Sequence, residues 1–213
     1  MPDTTDLDHA IDDEPRQNDM TPIDALKLLM EGNLRYIDEN VSPPDLSATR
    51  AAAVEEHEPI AAILGCADAR VAAELIFDRG PGDLFMVRLA GNVLSDYSIA
   101  SLEYCVEFLH TPLLMVLGHS HCGAVTSAVK VVEDGVTLPG RLPFLIDAIE
   151  PAVHVARATN PDDLLAAAIA ENVRRQVQRL ATISPLITEA IEAEKVMVVG
   201  AIYDLATGRV DLI

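Results

Sequence analysis

Three short apolar runs, at residues 60–65, 84–89 and 113–118, each give way to a turn and then to a helix-forming stretch. In 60–65 and 113–118 the apolar character is unbroken, which marks a strand covered on both faces rather than one with a wet face. The stretches that follow, at 71–77, Asp96–Leu109 and 123–132, have helical rather than alternating spacing. Such alternation builds parallel βαβ units with right-handed crossovers. Beyond Pro143 the chain reads as largely helical. Asn160-Pro161-Asp162-Asp163 opens a helix over 164–182, and Ser184-Pro185 opens another. A strand over 196–203 and the turn Ala206-Thr207-Gly208 then lead to a last strand at 210–213. The expected architecture is α/β: a central, mostly parallel β-sheet flanked by helices, with an antiparallel edge strand at the C-terminus.

Two loops carry the chemistry. Cys66-Ala67-Asp68-Ala69-Arg70 follows the first strand, and Gly118-His119-Ser120-His121-Cys122-Gly123 follows the third. Sites in open parallel sheets form at the carboxyl ends of strands, so two thiols and an imidazole converge on one sheet edge. Two Cys and one His suit Zn²⁺, and three protein ligands leave a fourth position for water. Either cysteine alone reads as a small core hydrophobe, as Cys105 does in its helical stretch. Their shared position beyond strands, with an acid and a base after Cys66, favours an open catalytic zinc site.

Composition narrows the classes. The net charge of −19 and only three lysines oppose a phosphate-backbone partner. No 18-residue uncharged apolar run and no basic-then-apolar leader is present, so neither a membrane span nor a signal peptide is expected. Three cysteines make no disulfide framework, which points to a reduced, cytoplasmic protein. The first 19 residues carry seven acidic side chains against one Arg and few large apolar ones. Residues 1–20 are read as an acidic flexible tail and 21–213 as a single catalytic domain. Thr21-Pro22 starts the first helix, which runs to about Tyr36, and Ser47 caps another ending near His57.

Cys-x-Asp-x-Arg followed some fifty residues later by Gly-His-Ser-x-Cys-Gly resembles the β-class carbonic anhydrase family. Glu31-Gly32-Asn33, Val87-Arg88-Leu89-Ala90-Gly91-Asn92, Ser101-Leu102-Glu103-Tyr104 and Gly200-Ala201-Ile202-Tyr203-Asp204-Leu205-x-Thr207-Gly208 extend the resemblance over about residues 21–213. It implies one zinc ion on Cys66, His119 and Cys122, reversible hydration of CO₂ to bicarbonate and a proton, and a homodimer or higher homo-oligomer sharing its clefts. Two thiolates cancel the ion's charge, so its water is less acidic than at a three-histidine site. Asp68, held ionised by Arg70, would accept a hydrogen bond from the zinc-bound hydroxide and orient it. Phe85 and Tyr104 match positions lining an apolar CO₂ pocket, and Gly91 would place an amide near substrate oxygens. His57 stands where many members have a substrate-binding Gln. Ile63 stands where the bicarbonate-inhibited subclass has Trp, which favours Asp68 paired to Arg70 over Asp68 on zinc. Leu89 replaces a usual Asn. His121 lies outside the ligand set, with a proton relay to solvent as a secondary reading. His110 and His154 read as structural.

Two alternatives stand beside this reading. A CS₂ or COS hydrolase on the same scaffold would use the same ligands. A non-enzymatic zinc-binding module would need a fourth protein ligand and leaves the Asp-Arg pair without a purpose.

Overall fold

The computed structural model describes residues 20–41 and 58–213. The acidic segment apart from Met20, the helix expected after Ser47, and His57 lie outside the described residues. Five strands form one sheet: β1 (Ala61–Gly65), β2 (Leu84–Arg88), β3 (Leu113–His119), β4 (Met197–Tyr203) and β5 (Val210–Leu212). Their order is β2-β1-β3-β4-β5. The first four are mutually parallel, and β5 pairs antiparallel with β4 through Tyr203 opposite Val210. The expected mostly parallel sheet with an antiparallel C-terminal edge is what the chain forms.

Every residue of β1 and β3 is buried. Their side chains alternate between two cores, as the two-residue period of a strand requires. Ile63, Leu113, Met115, Leu117, Ala201 and Tyr203 pack with Ala25, Leu26 and Leu29 of α1 (Pro22–Ile37) and with Ile76 of α2 (Ala73–Ile76). Ala62, Leu64, Leu114 and Val116 pack on the other face. There they meet Ile99, Leu102 and Val106 of α3 (Asp96–Leu109).

Past β3 come α4 (Gly123–Asp134), α5 (Leu142–Asp147), α6 (Glu150–Ala158), α7 (Leu164–Ile183) and α8 (Pro185–Glu192). Thr21, Ser95, Asp163 and Ser184 cap α1, α3, α7 and α8, each accepting a hydrogen bond from a first-turn amide. Gly135, at φ 65°, ends α4 two residues beyond the expected stop. The helix expected at 71–77 shrinks to the four residues of α2. Val71 N–H is turned back to Asp68 O at 3.1 Å, and Phe77 is already the C-cap.

The Glu31-Gly32-Asn33 motif is an architectural joint. Asn33 Nδ2 donates to Ile76 O at 3.1 Å and Gly208 O at 2.9 Å, while Asn33 Oδ1 accepts from Val210 N at 2.9 Å. One buried amide thus ties α1 to the end of α2 and to the β4–β5 hairpin. Gly32 lies so close to Phe77 that a Cβ there would fall 1.9 Å from its carbonyl oxygen.

Candidate metal centre

Cys66 is the first residue past β1, and His119 is the last of the neighbouring strand β3. The register places Gly65 beside Leu117, so the two strand ends are adjacent. Cys122 follows as the N-cap of α4, where the chain turns back over the sheet edge. His121 between them adopts a left-handed backbone, φ 55°, with its side chain exposed. That kink sets His119 and Cys122 on the same side.

The donor atoms of Cys66, His119 and Cys122 all lie within 4.8 Å of one another, and all three residues are buried. The two sulfurs stand 3.9 Å apart, and both are free thiols. Two sulfurs held at about 2.3 Å by one tetrahedral ion would be about 3.8 Å apart. His119 Nδ1 lies 2.9 Å from the Ser120 carbonyl, to which it can only donate. That tautomer leaves the lone pair on Nε2, which is buried and has no hydrogen-bond partner among the described residues. An orphaned imidazole nitrogen facing two thiols at this spacing fits a Cys₂His metal site.

The thiols do not share one ionisation behaviour. Cys66 is pushed down, first by the hydrogen bond with Cys122 and also by the Gly91 and Asp68 amides. Those amides lie 3.3 and 3.4 Å from its sulfur. Cys122 is pushed up by the same shared hydrogen bond and by burial. Together these favour the thiolate on Cys66 and the proton on Cys122.

Asp68 stands at the rim, its Oδ2 3.9 Å from His119 Nε2. Arg70 grips both carboxylate oxygens through Nε at 2.9 Å and Nη2 at 2.6 Å, and its backbone N–H adds a third bond at 2.9 Å. This bidentate pairing holds the carboxyl well below the usual carboxylate range. Arg88, at the end of β2, donates to Cys66 O at 3.0 Å and to Asp68 O at 2.6 Å. Its side chain brackets the loop that carries both residues.

A carbonic anhydrase family model matches residues 61–210. The chain belongs to the β-class carbonic anhydrase family. It is 34% identical over 195 residues to carbonic anhydrase from Mycolicibacterium smegmatis, covering 90% of this chain and 93% of that one. It is 38% identical over 192 residues to carbonic anhydrase 2 from Mycobacterium tuberculosis, covering 88% and 91%. Among solved structures, the β-carbonic anhydrase CafA of Aspergillus fumigatus superposes with a TM-score of 0.69 at 27% identity, covering 89% of this chain and 88% of that one.

Within this chain, not every residue singled out in the sequence reaches the thiols. Phe85 pairs with Ala62, four positions before Cys66, or about 13 Å back along the sheet. Its ring stacks toward Tyr104 at 6.5 Å, and Tyr104 toward Phe108 at 5.2 Å. Tyr104 and Phe108 are about half exposed, so this aromatic strip runs along the outer edge of the sheet rather than into the Cys-His-Cys group. The Gly91 amide, expected near substrate oxygens, donates to Cys66 Sγ here. Gly91 has φ 70°, and a Cβ would meet Ile149 Cδ1 at 2.7 Å.

Sequence reading missed Asn172 and Gln176. Both amides are buried on α7 and connect to the loop of Gly91. The available signal was two amides four residues apart on an otherwise apolar helix face.

Proposed function

We propose that this chain catalyses the reversible hydration of CO₂, CO₂ + H₂O ⇌ HCO₃⁻ + H⁺, with one zinc ion on Cys66, His119 and Cys122. The observation that carries it is the orphaned Nε2 of His119 facing two thiols 3.9 Å apart, with an Arg-held carboxylate at their rim. Zinc held there would acidify its water and supply a hydroxide nucleophile for CO₂, less readily than at a three-histidine site. Asp68, ionised by Arg70, accepts a hydrogen bond from the attacking water and turns a lone pair toward the substrate carbon. Three hydrogen bonds from Arg70 keep Asp68 in that acceptor role and away from the ligand set. His57 takes the part that a substrate-binding Gln plays in many members of the family, donating to a substrate oxygen.

Phe85 and Tyr104 form the apolar wall for a substrate with no net dipole. Their distance from the thiols of their own chain supports a homo-oligomer in which one subunit's aromatic strip faces another's metal centre. Thiol ligands require a reducing compartment, which supports a cytoplasmic location. No helix among the described residues is long and apolar enough to cross a membrane.

Stopped-flow CO₂ hydration across pH, paired with metal quantification, tests the reading. One zinc per chain with hydration activity is the expected result. Active protein without stoichiometric metal overturns it, and turnover of CS₂ without CO₂ hydration assigns the scaffold to the sulfur substrate.

A further inference from the structure

Asn172 and Gln176 lie one turn apart on α7, in a buried stripe otherwise made of Ala168, Ile169, Val173 and Leu180. Amides are costly in such a place unless their hydrogen bonds are made. Asn172 Nδ2 donates to Gly91 O at 2.8 Å, and Gln176 Nε2 donates to Asn172 Oδ1 at 3.3 Å. Gln176 Oε1 accepts from Leu94 N at 3.0 Å. The two side chains therefore grip both ends of the turn between Gly91 and Leu94. That turn begins with two successive left-handed residues, Gly91 at φ 70° and Asn92 at φ 44°. Left-handed backbone at a non-glycine residue persists only where its surroundings enforce it. At the near end of the same turn, Gly91 N–H reaches Cys66 Sγ at 3.3 Å.

We propose that Asn172 and Gln176 are positioning residues for the metal centre, holding the 91–94 turn so that the Gly91 amide stays on the Cys66 sulfur. The proposal rests on the reading of Cys66, His119 and Cys122 as a metal site. An N–H donated to a thiolate disperses its charge and fixes its direction. Loss of a partner one step behind a ligand commonly costs about ten- to a hundredfold in metal affinity. Here the step runs through backbone, so the side chains that determine the Cys66 environment sit on a helix remote from it in sequence. Their hydrogen bonds run to Gly91 O, Leu94 N and each other, so they act on Cys66 through the turn.

The test uses the full chain with Co²⁺ in place of zinc. The thiolate-to-cobalt charge-transfer band and the rate of cobalt release to a chelator are read alongside the thermal melt of the metal-free protein. Asn172→Ala is expected to shift the band and to speed release about tenfold. Gln176→Leu is expected to move both in the same direction by less, and reads the same device if Asn172→Ala does not fold. Leu180→Ala, buried on the same helix but outside the amide chain, is expected to melt lower with band and release unchanged. Wild-type band and release in both amide variants overturn the proposal. So does Leu180→Ala reproducing their shift, since the effect would then follow general loosening of α7. Absence of any thiolate-to-cobalt band in the wild type removes the metal reading itself, and this proposal with it.

Discussion

Arg88 donates to the carbonyl oxygens of Cys66 at 3.0 Å and Asp68 at 2.6 Å, so one guanidinium fixes the backbone on both sides of Ala67. The thiol and the carboxylate are thereby held in one loop, with Arg70 on the carboxylate and the Gly91 and Asp68 amides on the sulfur. Arg88→Met is expected to retain zinc while turnover falls by about tenfold, the scale seen when support behind a metal site is removed. Metal content and CO₂ hydration measured on the same preparation check this.

The Asp68–Arg70 pair makes a sharper prediction. Asp68→Asn preserves shape and the metal ligands but removes the charged acceptor. Its hydration rate is expected to drop by about a hundredfold with zinc unchanged, as for loss of a group that handles the reacting proton. Arg70→Lys is expected to be harmful too, because an ammonium cannot supply the two parallel donors at 2.9 and 2.6 Å.

Metal binding is expected to release protons in a countable way. In the metal-free chain Cys66 is lowered and Cys122 raised, first through their shared hydrogen bond. Those directions predict a pair that shares one proton between its two sulfurs near neutral pH. Zinc added to the metal-free protein in weak buffer at pH 7 is expected to release about one proton per ion, read with a pH indicator. Two protons per ion would show that both thiols are protonated. Because Cys122 must be deprotonated to bind, affinity is expected to fall by about tenfold per unit of acidification through the neutral range. The fall becomes steeper once the pH drops below the lowered value of Cys66.

Asn33 separates stability from chemistry. Asn33→Ala leaves Val210 N–H and the carbonyls of Ile76 and Gly208 without their partner. Several buried groups stranded together cost about 3 kcal/mol. For a chain of this size that corresponds to a Tm lower by about 6–12 °C. Zinc stoichiometry is expected to be unaltered, since Asn33 packs at the hairpin and not at the thiols. Calorimetry together with metal analysis checks both halves.

Strands β1 and β3 were legible because burial on both faces leaves no room for polar residues, and the starts of α1, α7 and α8 were legible because local hydrogen bonds fix them. Helix α2 was overestimated for the opposite reason. Its first residues are drawn into the Asp68 turn by a contact that helical periodicity does not register. Phe85 and Tyr104 show the same limit at the site. Their residue types suit an apolar wall, but the pairing of Phe85 with Ala62 sets that wall far from the thiols of its own chain.

From its residues alone this chain specified an α/β sheet, the strands that end at Cys66 and His119, and a donor set suited to a divalent ion. Folding in three dimensions decided how those donors meet: a 3.9 Å sulfur pair, a bare Nε2, and a Gly91 amide held on Cys66 by two amides about eighty residues further along. Spacing along a strand or helix is set by backbone geometry and can be read locally. Distances between elements depend on how whole faces pack, so Asn172 and Gln176 acquire their role only once α7 lies across the sheet.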